Sequence, residues 1–432
     1  MNFYLNILSV AGVFFLMFLA WLFSKNRKNL NWRAIFWGVL LQILFAFFIF
    51  YFPWGATLFS WINSAVVKLL SFATAGTYFV FGVLSISPGQ TGPGGETSIG
   101  FILAFQALPL VIFFSALMSL LYYFGIMQKI IKIFSYIFTK LMKISGAESL
   151  CTASNIFVGI ESAFTIRPYI DKMTLSELCT ILTAGMSTIA STVMALYVGI
   201  LKDTFPTIAG HLVSASILSA PAAIVMSKLL YPEDGQPVTL GKVVEAYYER
   251  PKSWVEAVII GSNEGVKLCV GIVALLLSSL ALLAMLNWFV GVIGNLFGMN
   301  LSIEKILSYF YYPVVFMLGI PVRDIPSVAI LLAERNIVTE LVSYQHLNQL
   351  ISSGILTDPR SIVITVYSLC GFAHIASLAI FVGGISAIAP SRAREIASLG
   401  FRSLFAAILA CLMTGAVAGI LFTPYQQRIL FR

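Results

Sequence analysis

Charged residues are scarce in this chain: Asp, Glu, Lys and Arg make up 10% of its 432 residues, where an ordinary soluble chain carries about 25%. With 59% hydrophobic residues, it cannot cover itself with a polar surface, which excludes a soluble globular protein. Cysteine is equally sparse. Cys151, Cys179, Cys269, Cys370 and Cys411 stand singly in apolar sequence, with no CxxC or metal-ligand spacing, so a disulfide framework and a zinc site are both excluded and buried thiols are expected. No HExxH, nucleophile or cofactor motif occurs. The glycine-rich stretch SPGQTGPGGETSIG (87–100) lacks the Lys-Ser/Thr of a phosphate cradle and reads as a flexible loop. Acids are outnumbered, 18 against 26 basic residues, for a net charge of +8. The basic residues fall in short loops between apolar runs, which speaks for membrane topology and not for nucleic acid.

What is present is a series of long apolar runs, the mark of a helical integral membrane protein. Residues 3–23 form a first span with no basic n-region and no cleavage site before it, so it reads as retained and not as a signal peptide. Lys25, Arg27, Lys28 and Arg33 follow without an acid, placing this loop in the cytoplasm and the N-terminus outside. A return span covers 34–52. Residues 58–84, interrupted by Lys68, fit an interfacial helix or a span. Residues 101–123 form a further span. Lys129, Lys132, Lys140 and Lys143 make 126–143 a basic amphipathic helix suited to a membrane surface. Helices are expected at 175–200, 205–230 and 266–296, with a polar loop containing a short helix at 231–254. TDPR (357–360) opens a span to about 388, and a last span covers 403–423. Arg392, Arg394 and Arg402 before that span, against Glu395 alone, keep the same orientation and leave the C-terminus outside. These readings divide the chain into 1–145 (scaffold spans and interfacial helices), 146–230 (a first polar hairpin and its following helices), 231–300 (polar loop and scaffold helix) and 301–432 (a second hairpin and the C-terminal helices).

Two regions break the apolar pattern. Residues 146–172 and 313–350 carry Glu, Arg, Asn, Thr and Pro at membrane depth, including Glu161 and Glu340. A carboxylate there costs roughly 2.5–3.5 kcal/mol even on the lenient insertion scale. Irregular polar backbone is tolerated only where protein or water covers it. Re-entrant hairpins satisfy that condition. Each is followed by a helix with polar residues at its centre: Ser187-Thr188 after the first, Phe372-Ala373-His374 and Ser377 after the second. A hairpin plus a broken helix, twice, is the pattern of a transporter built from inverted repeats.

The run ESLCTASNIFVGIESAFTIRPYI resembles the first hairpin of the concentrative nucleoside transporters. FMLGIPVRD, TELVSY and YSLCGFAHIASLAIFVGGISAIAPSR resemble their second half, in order and spacing, from about residue 30 to 424. The bacterial, NupC-like branch of that family is the nearest in pattern. The resemblance implies an all-α membrane protein with about eight spanning helices, two re-entrant hairpins and interfacial helices around an inverted-repeat transport domain. It also implies a homotrimer in the bacterial cytoplasmic (inner) membrane.

Carried over residue by residue, the resemblance implies a sodium site at Asn155, Val158, Ser187, Thr188 and Ile189, an all-oxygen set that suits a hard cation. The bland alternative is that Asn155 and Ser187 merely satisfy broken backbone, and a proton stands as the alternative coupling ion. On the ribose side Glu340 and Ser377 match, with Phe372 packing near the sugar. The family's Asn is His374, which keeps one hydrogen bond to a hydroxyl but is bulkier and can be protonated near neutral pH. On the base side the family reads GQTE or GQSE. Here Gly159-Ile160-Glu161-Ser162 stands in its place, faced by Thr192. Ile160 cannot pair with a base edge, so a non-standard nucleoside or another polyol-bearing solute is expected beside ordinary nucleosides. The implied activity is cation-coupled symport, with no enzyme chemistry. A channel would need a continuous polar face along several helices, which the sequence does not offer. An acid–base set of Glu161, Glu340 and His374 lacks a nucleophile.

Overall fold

The computed structural model describes residues 3–423; the last residues before the C-terminus, whose outside placement was expected, lie outside them. Among the described residues the chain is helical, with isolated β-bridges only at Thr91–Thr97 and Ser145–Leu240. The helices are α1 (Phe3–Leu22), α2 (Trp32–Tyr51), α3 (Pro53–Phe81), α4 (Leu103–Gln106), α5 (Leu108–Tyr123), α6 (Ile126–Met142), α7 (Gly146–Asn155), α8 (Arg167–Ile170), α9 (Leu175–Ser187), α10 (Ser191–Leu201), α11 (Ile208–Leu230), α12 (Trp254–Leu296), α13 (Ile303–Met317), α14 (Ile325–Ile337), α15 (Glu340–Ser352), α16 (Pro359–Leu369), α17 (Ile375–Ile388) and α18 (Ala393–Leu421). Eight stretches of described helix are long and apolar enough to cross a membrane.

Residues 58–84, which fitted either a surface helix or a span, lie within the single helix α3 and its 3-10 extension. The segment 231–253 holds no helix, contrary to expectation. Pro232, Gly235, Pro237, Gly241 and Pro251 punctuate it. Its backbone pairs instead with the first hairpin, through Gly146 N–H to Thr239 O (2.9 Å), Gly241 N–H to Ile144 O (3.1 Å) and Tyr247 N–H to Thr165 O (2.8 Å). Helix α12 starts at Trp254, before the expected 266, because Ser253 caps it by accepting from Glu256 N–H at 3.1 Å. Its charged first turns stay helical through pairs such as Lys267–Glu264 at 2.7 Å. The expected span from 357 to 388 is interrupted at 370–374. The last helix begins at Ala393, ahead of the expected 403.

Burial sorts the helices into layers. Only 6% of the apolar window of α12 is buried against 89% for α11, so α12 lies outermost and α11 runs through the centre against α2, α9 and α18. Every residue of α7 is buried, among them Glu148, Thr152 and Asn155; protein covers this polar helix on all sides. The basic loops 24–33 and 391–402 share one face, because Lys25 and Arg402 both sit over the Tyr231 ring, at 4.3 and 5.6 Å.

Candidate functional site

Two helix breaks meet at the centre. Helix α9 ends at Ser187, the chain runs extended at Thr188, and α10 resumes at Ser191. Helix α16 ends at Leu369, and α17 resumes at Ile375. Gly371, at φ 125°, lets the second break touch the first: a Cβ there would collide with the Ser187 carbonyl and the Cys411 thiol. The tip of the first hairpin docks on the same place. Ser191 N–H donates to Phe157 O at 2.8 Å. The Ser216 hydroxyl bridges Ile156 O (2.8 Å) and Ile189 O (3.5 Å).

Beside this junction lies an oxygen with no partner. Asn155, fully buried, donates its amide to Cys151 O at 3.1 Å, which leaves Oδ1 unsatisfied. Ser187 Oγ and Thr188 Oγ1 both donate to Ala184 O, at 3.3 and 2.8 Å, and keep their lone pairs. Among the described residues, Ser187 O is met by the Cys411 thiol, at 3.7 Å. A buried, unpaired amide oxygen costs about 1–3 kcal/mol. If Asn155 served only to satisfy broken backbone, that oxygen would be bonded. The residues therefore fit a hard monovalent cation, held by neutral oxygens and unwound carbonyls. Val158 sits half-buried at the hairpin tip, with its N–H given to Ser154 O at 3.0 Å.

A cavity of about 140 Å³ opens beside the breaks. The structure brings Ile160, Glu161, Thr192, Glu340, Phe372, His374 and Ser377 to its wall. Ser162 is the exception. Its side chain is buried inside the hairpin, with Oγ 3.6 Å from the Cys151 thiol; the short 3-10 turn over Ile160–Ile166 points it away from the cavity. Ile160 nests against Gly384 of α17, where a Cβ would leave it no room.

On the opposite wall, His374 caps α17, its Nδ1 accepting Ser377 N–H at 3.2 Å. The neutral ring then carries its proton on Nε2, which lies 2.6 Å from Ser377 Oγ and 2.9 Å from Glu340 Oε2. Glu340 Oε2 faces the ring N–H, while Oε1 accepts from the Tyr197 hydroxyl. One carboxylate oxygen is thus held in place and the other is a buried acceptor on the cavity wall.

Tyr197 was not singled out from the sequence, nor were Thr339 and the apolar residues Leu268, Ile272 and Leu276 that line the same cavity. For Tyr197 a signal existed: helical spacing puts Leu196 and Tyr197 on the face of Thr192 and Val193. For Leu268, Ile272 and Leu276 there was none, since α12 reads as an ordinary apolar span.

A second cavity, about 390 Å³, shares Gly159, Glu161, Thr192 and Leu268 with the first. It extends to Arg167, Tyr247, Tyr248 and Glu249, on the side where Arg392 of the basic segment donates to Ile170 O and Asp171 O at 3.3 and 2.9 Å.

Family models for the N-terminus and C-terminus of the Na+-dependent nucleoside transporters match residues 11–84 and 211–419, and one for nucleoside recognition ("Gate") matches 104–204. Solute carrier family 28 member 3 of Mus musculus is 37% identical over 96% of this chain and 59% of its own length. Sodium/nucleoside cotransporter 1 of the same species is 34% identical over 97% of this chain and 64% of its own. The chain thus spans about three fifths of the length of the curated relatives it matches. Among solved structures, CNTnw in an inward-facing substrate-bound state superposes with a TM-score of 0.86 at 30% identity, covering 96% of this chain and 98% of that one. CNTnw in an intermediate state gives 0.87 at 31%, covering 97% of this chain and 99% of that one. The likeness is one of fold and does not single out a transport state.

Proposed function

The chain belongs to the Na+-dependent, or concentrative, nucleoside transporter family, and on that premise we propose that it is a cation-coupled symporter carrying nucleosides or nucleoside-like solutes across a membrane. The family is one of transporters and not of enzymes. The observation that carries the coupling is the unpaired Oδ1 of Asn155 beside the Ser187 break. Sodium bound by Asn155, Val158, Ser187, Thr188 and Ile189 would join hairpin tip to broken helix. The same junction forms one wall of the cavity, so cation and substrate each favour the arrangement that binds the other.

Glu340, Ser377 and His374 hold sugar hydroxyls, with Phe372 against the ring. The base lies toward Ile160, Glu161 and Thr192. Glu161 as a carboxylate only accepts hydrogen bonds, and Ile160 offers none. A uracil edge, which presents one N–H between two carbonyls, leaves both carbonyls without a donor there and is disfavoured. A base presenting an amino group or positive charge is favoured. The 2.9 Å approach of His374 Nε2 to Glu340 supports a second reading, in which a proton on this pair drives uptake. The shared face of the basic segments supports an inward position for that face, and the resemblance adds the inner membrane of a bacterium to the proposal. The exposed apolar α12 supports contact with lipid and with neighbouring copies in a homotrimer.

The test is a thermal-shift and binding panel of nucleosides on the purified protein, with sodium or choline. Sodium should tighten binding of an amino-edged nucleoside about tenfold or more, equivalent to about 1.4 kcal/mol of coupling. Asn155→Ala and Ser187→Ala should each remove that gain. Equal binding in choline, with uptake driven by lowered pH, would replace sodium by a proton. Absence of binding by every nucleoside would sink the substrate class.

A further inference from the structure

Arg335 is a fully buried arginine near the tip of the second hairpin. No carboxylate forms an ion pair with it among the described residues. Its Nη1 donates to Ser368 O at 2.7 Å, and its Nε and Nη2 donate to Asn336 Oδ1 at 3.2 and 3.1 Å. Ser368 lies in the last turn of α16, just before the second helix break. Its carbonyl belongs to the helix-end groups that lack an intrahelical partner, at the negative end of the helix dipole.

The first half of the molecule repeats this arrangement with one part missing. There a hairpin-tip Asn (Asn155) faces the last turn of a helix broken at its middle (α9), whose Ser187 carbonyl is met, among the described residues, by a thiol, and the amide oxygen has no donor. In the second half the hairpin-tip Asn336 and the terminal carbonyl of α16 are both satisfied, by a guanidinium. The two breaks touch at Gly371 and Ser187, so the places correspond across a common centre.

We propose that Arg335 is a tethered cation that fills, in the second repeat, the role that the coupling ion fills in the first. It neutralises the buried C-terminal end of α16 and binds the second hairpin to the second broken helix throughout the cycle. Two consequences follow from charge and geometry. The second repeat needs no ion from solution, so one cation is coupled per substrate. The second hairpin stays joined to its helix when the ion leaves, so only the first hairpin is loosened by ion release.

The proposal rests on the cation reading of the Asn155 site, and the experiment separates the two. Sodium dependence of uptake is measured in vesicles for the unmodified protein, Arg335→Lys and Arg335→Met, with Asn155→Ala as the control for the first site. Met keeps an unbranched apolar side chain and removes the charge; Lys keeps the charge. The unmodified protein should follow sodium with a Hill coefficient of about 1. Arg335→Lys should keep that sodium response and most of the uptake. Arg335→Met should lose uptake at least tenfold, with guanidinium ion, and not choline, recovering part of it and raising its melting temperature. Full uptake by Arg335→Met, or loss in both variants without guanidinium recovery, overturns the tethered-cation role even if sodium coupling holds. An unmodified protein indifferent to sodium and to Asn155→Ala would instead bring down the first-site reading, and the proposal with it.

Discussion

At the scale of single residues, Glu340 shows how a costly group is kept useful. Tyr197 holds one carboxylate oxygen, and the other faces His374 Nε2 at 2.9 Å and keeps a lone pair. A hydroxyl reaching Oε2 would gain a charge-assisted bond, worth about 1.5–3 kcal/mol. Glu340→Gln keeps the volume and removes the charge, so substrate should bind about ten- to a hundredfold more weakly. The melting temperature in detergent should change little, because Tyr197 can still donate to the amide oxygen. Equilibrium binding checks this; unchanged affinity would remove Glu340 from the sugar site. The identities of Glu340, Ser377 and His374 were legible in the sequence as polar residues in an apolar frame. That His374 caps its own helix, and that Ser162 turns inward to a thiol, depended on backbone direction that no pattern of residue types records.

At the scale of elements, the buried pair Lys228–Glu148 ties α11 to the start of the first hairpin. The ammonium lies 2.7 Å from Glu148 Oε1 and 3.0 Å from Ser176 Oγ, with Glu233 at 3.6 Å, and both partners are almost fully buried. Removing one member of such a pair leaves an uncompensated buried charge, at a cost of about 3–5 kcal/mol. Lys228→Met should destabilise the protein by that order in denaturant titrations, and adding Glu148→Gln should recover part of the loss. Additive losses in the double variant would show that the two side chains are not coupled. The hairpins and broken helices were readable because polar residues at membrane depth leave few alternatives. Helix limits were less so: Ser253 extends α12 into charged sequence, and the 231–253 segment gives up a local helix for hydrogen bonds to the first hairpin.

At the scale of the molecule, the two cavities meet at Glu161 and Thr192, and the larger one leads toward the face with the basic loops. Thr192→Cys should therefore react with a polar maleimide applied from that face, and saturating substrate should slow the reaction. Cys151, Cys179, Cys370 and Cys411 are buried, and the half-buried Cys269 is replaced by serine in the background used for labelling. Reaction only from the opposite face would refute this access route.

The sequence by itself determined the solvent, the helical class, the two hairpins and the two breaks, and all but Ser162 of the substrate-side residues it singled out reach the cavity. Each follows from a local cost: charge in lipid, unpaired backbone, or apolar surface in water. Only the tertiary structure decided which oxygens are left unpaired. Asn155 Oδ1 is an orphan and Asn336 Oδ1 is not, although both are asparagines near hairpin tips. The difference is made by the guanidinium of the preceding residue, Arg335, whose place in the first half is taken by Ser154. Arg335 precedes Asn336 in the chain, so that bond is written in residue order; the reach of the same guanidinium to Ser368 O, at 2.7 Å across the fold, is a distance and direction between separate segments, which residue order does not record.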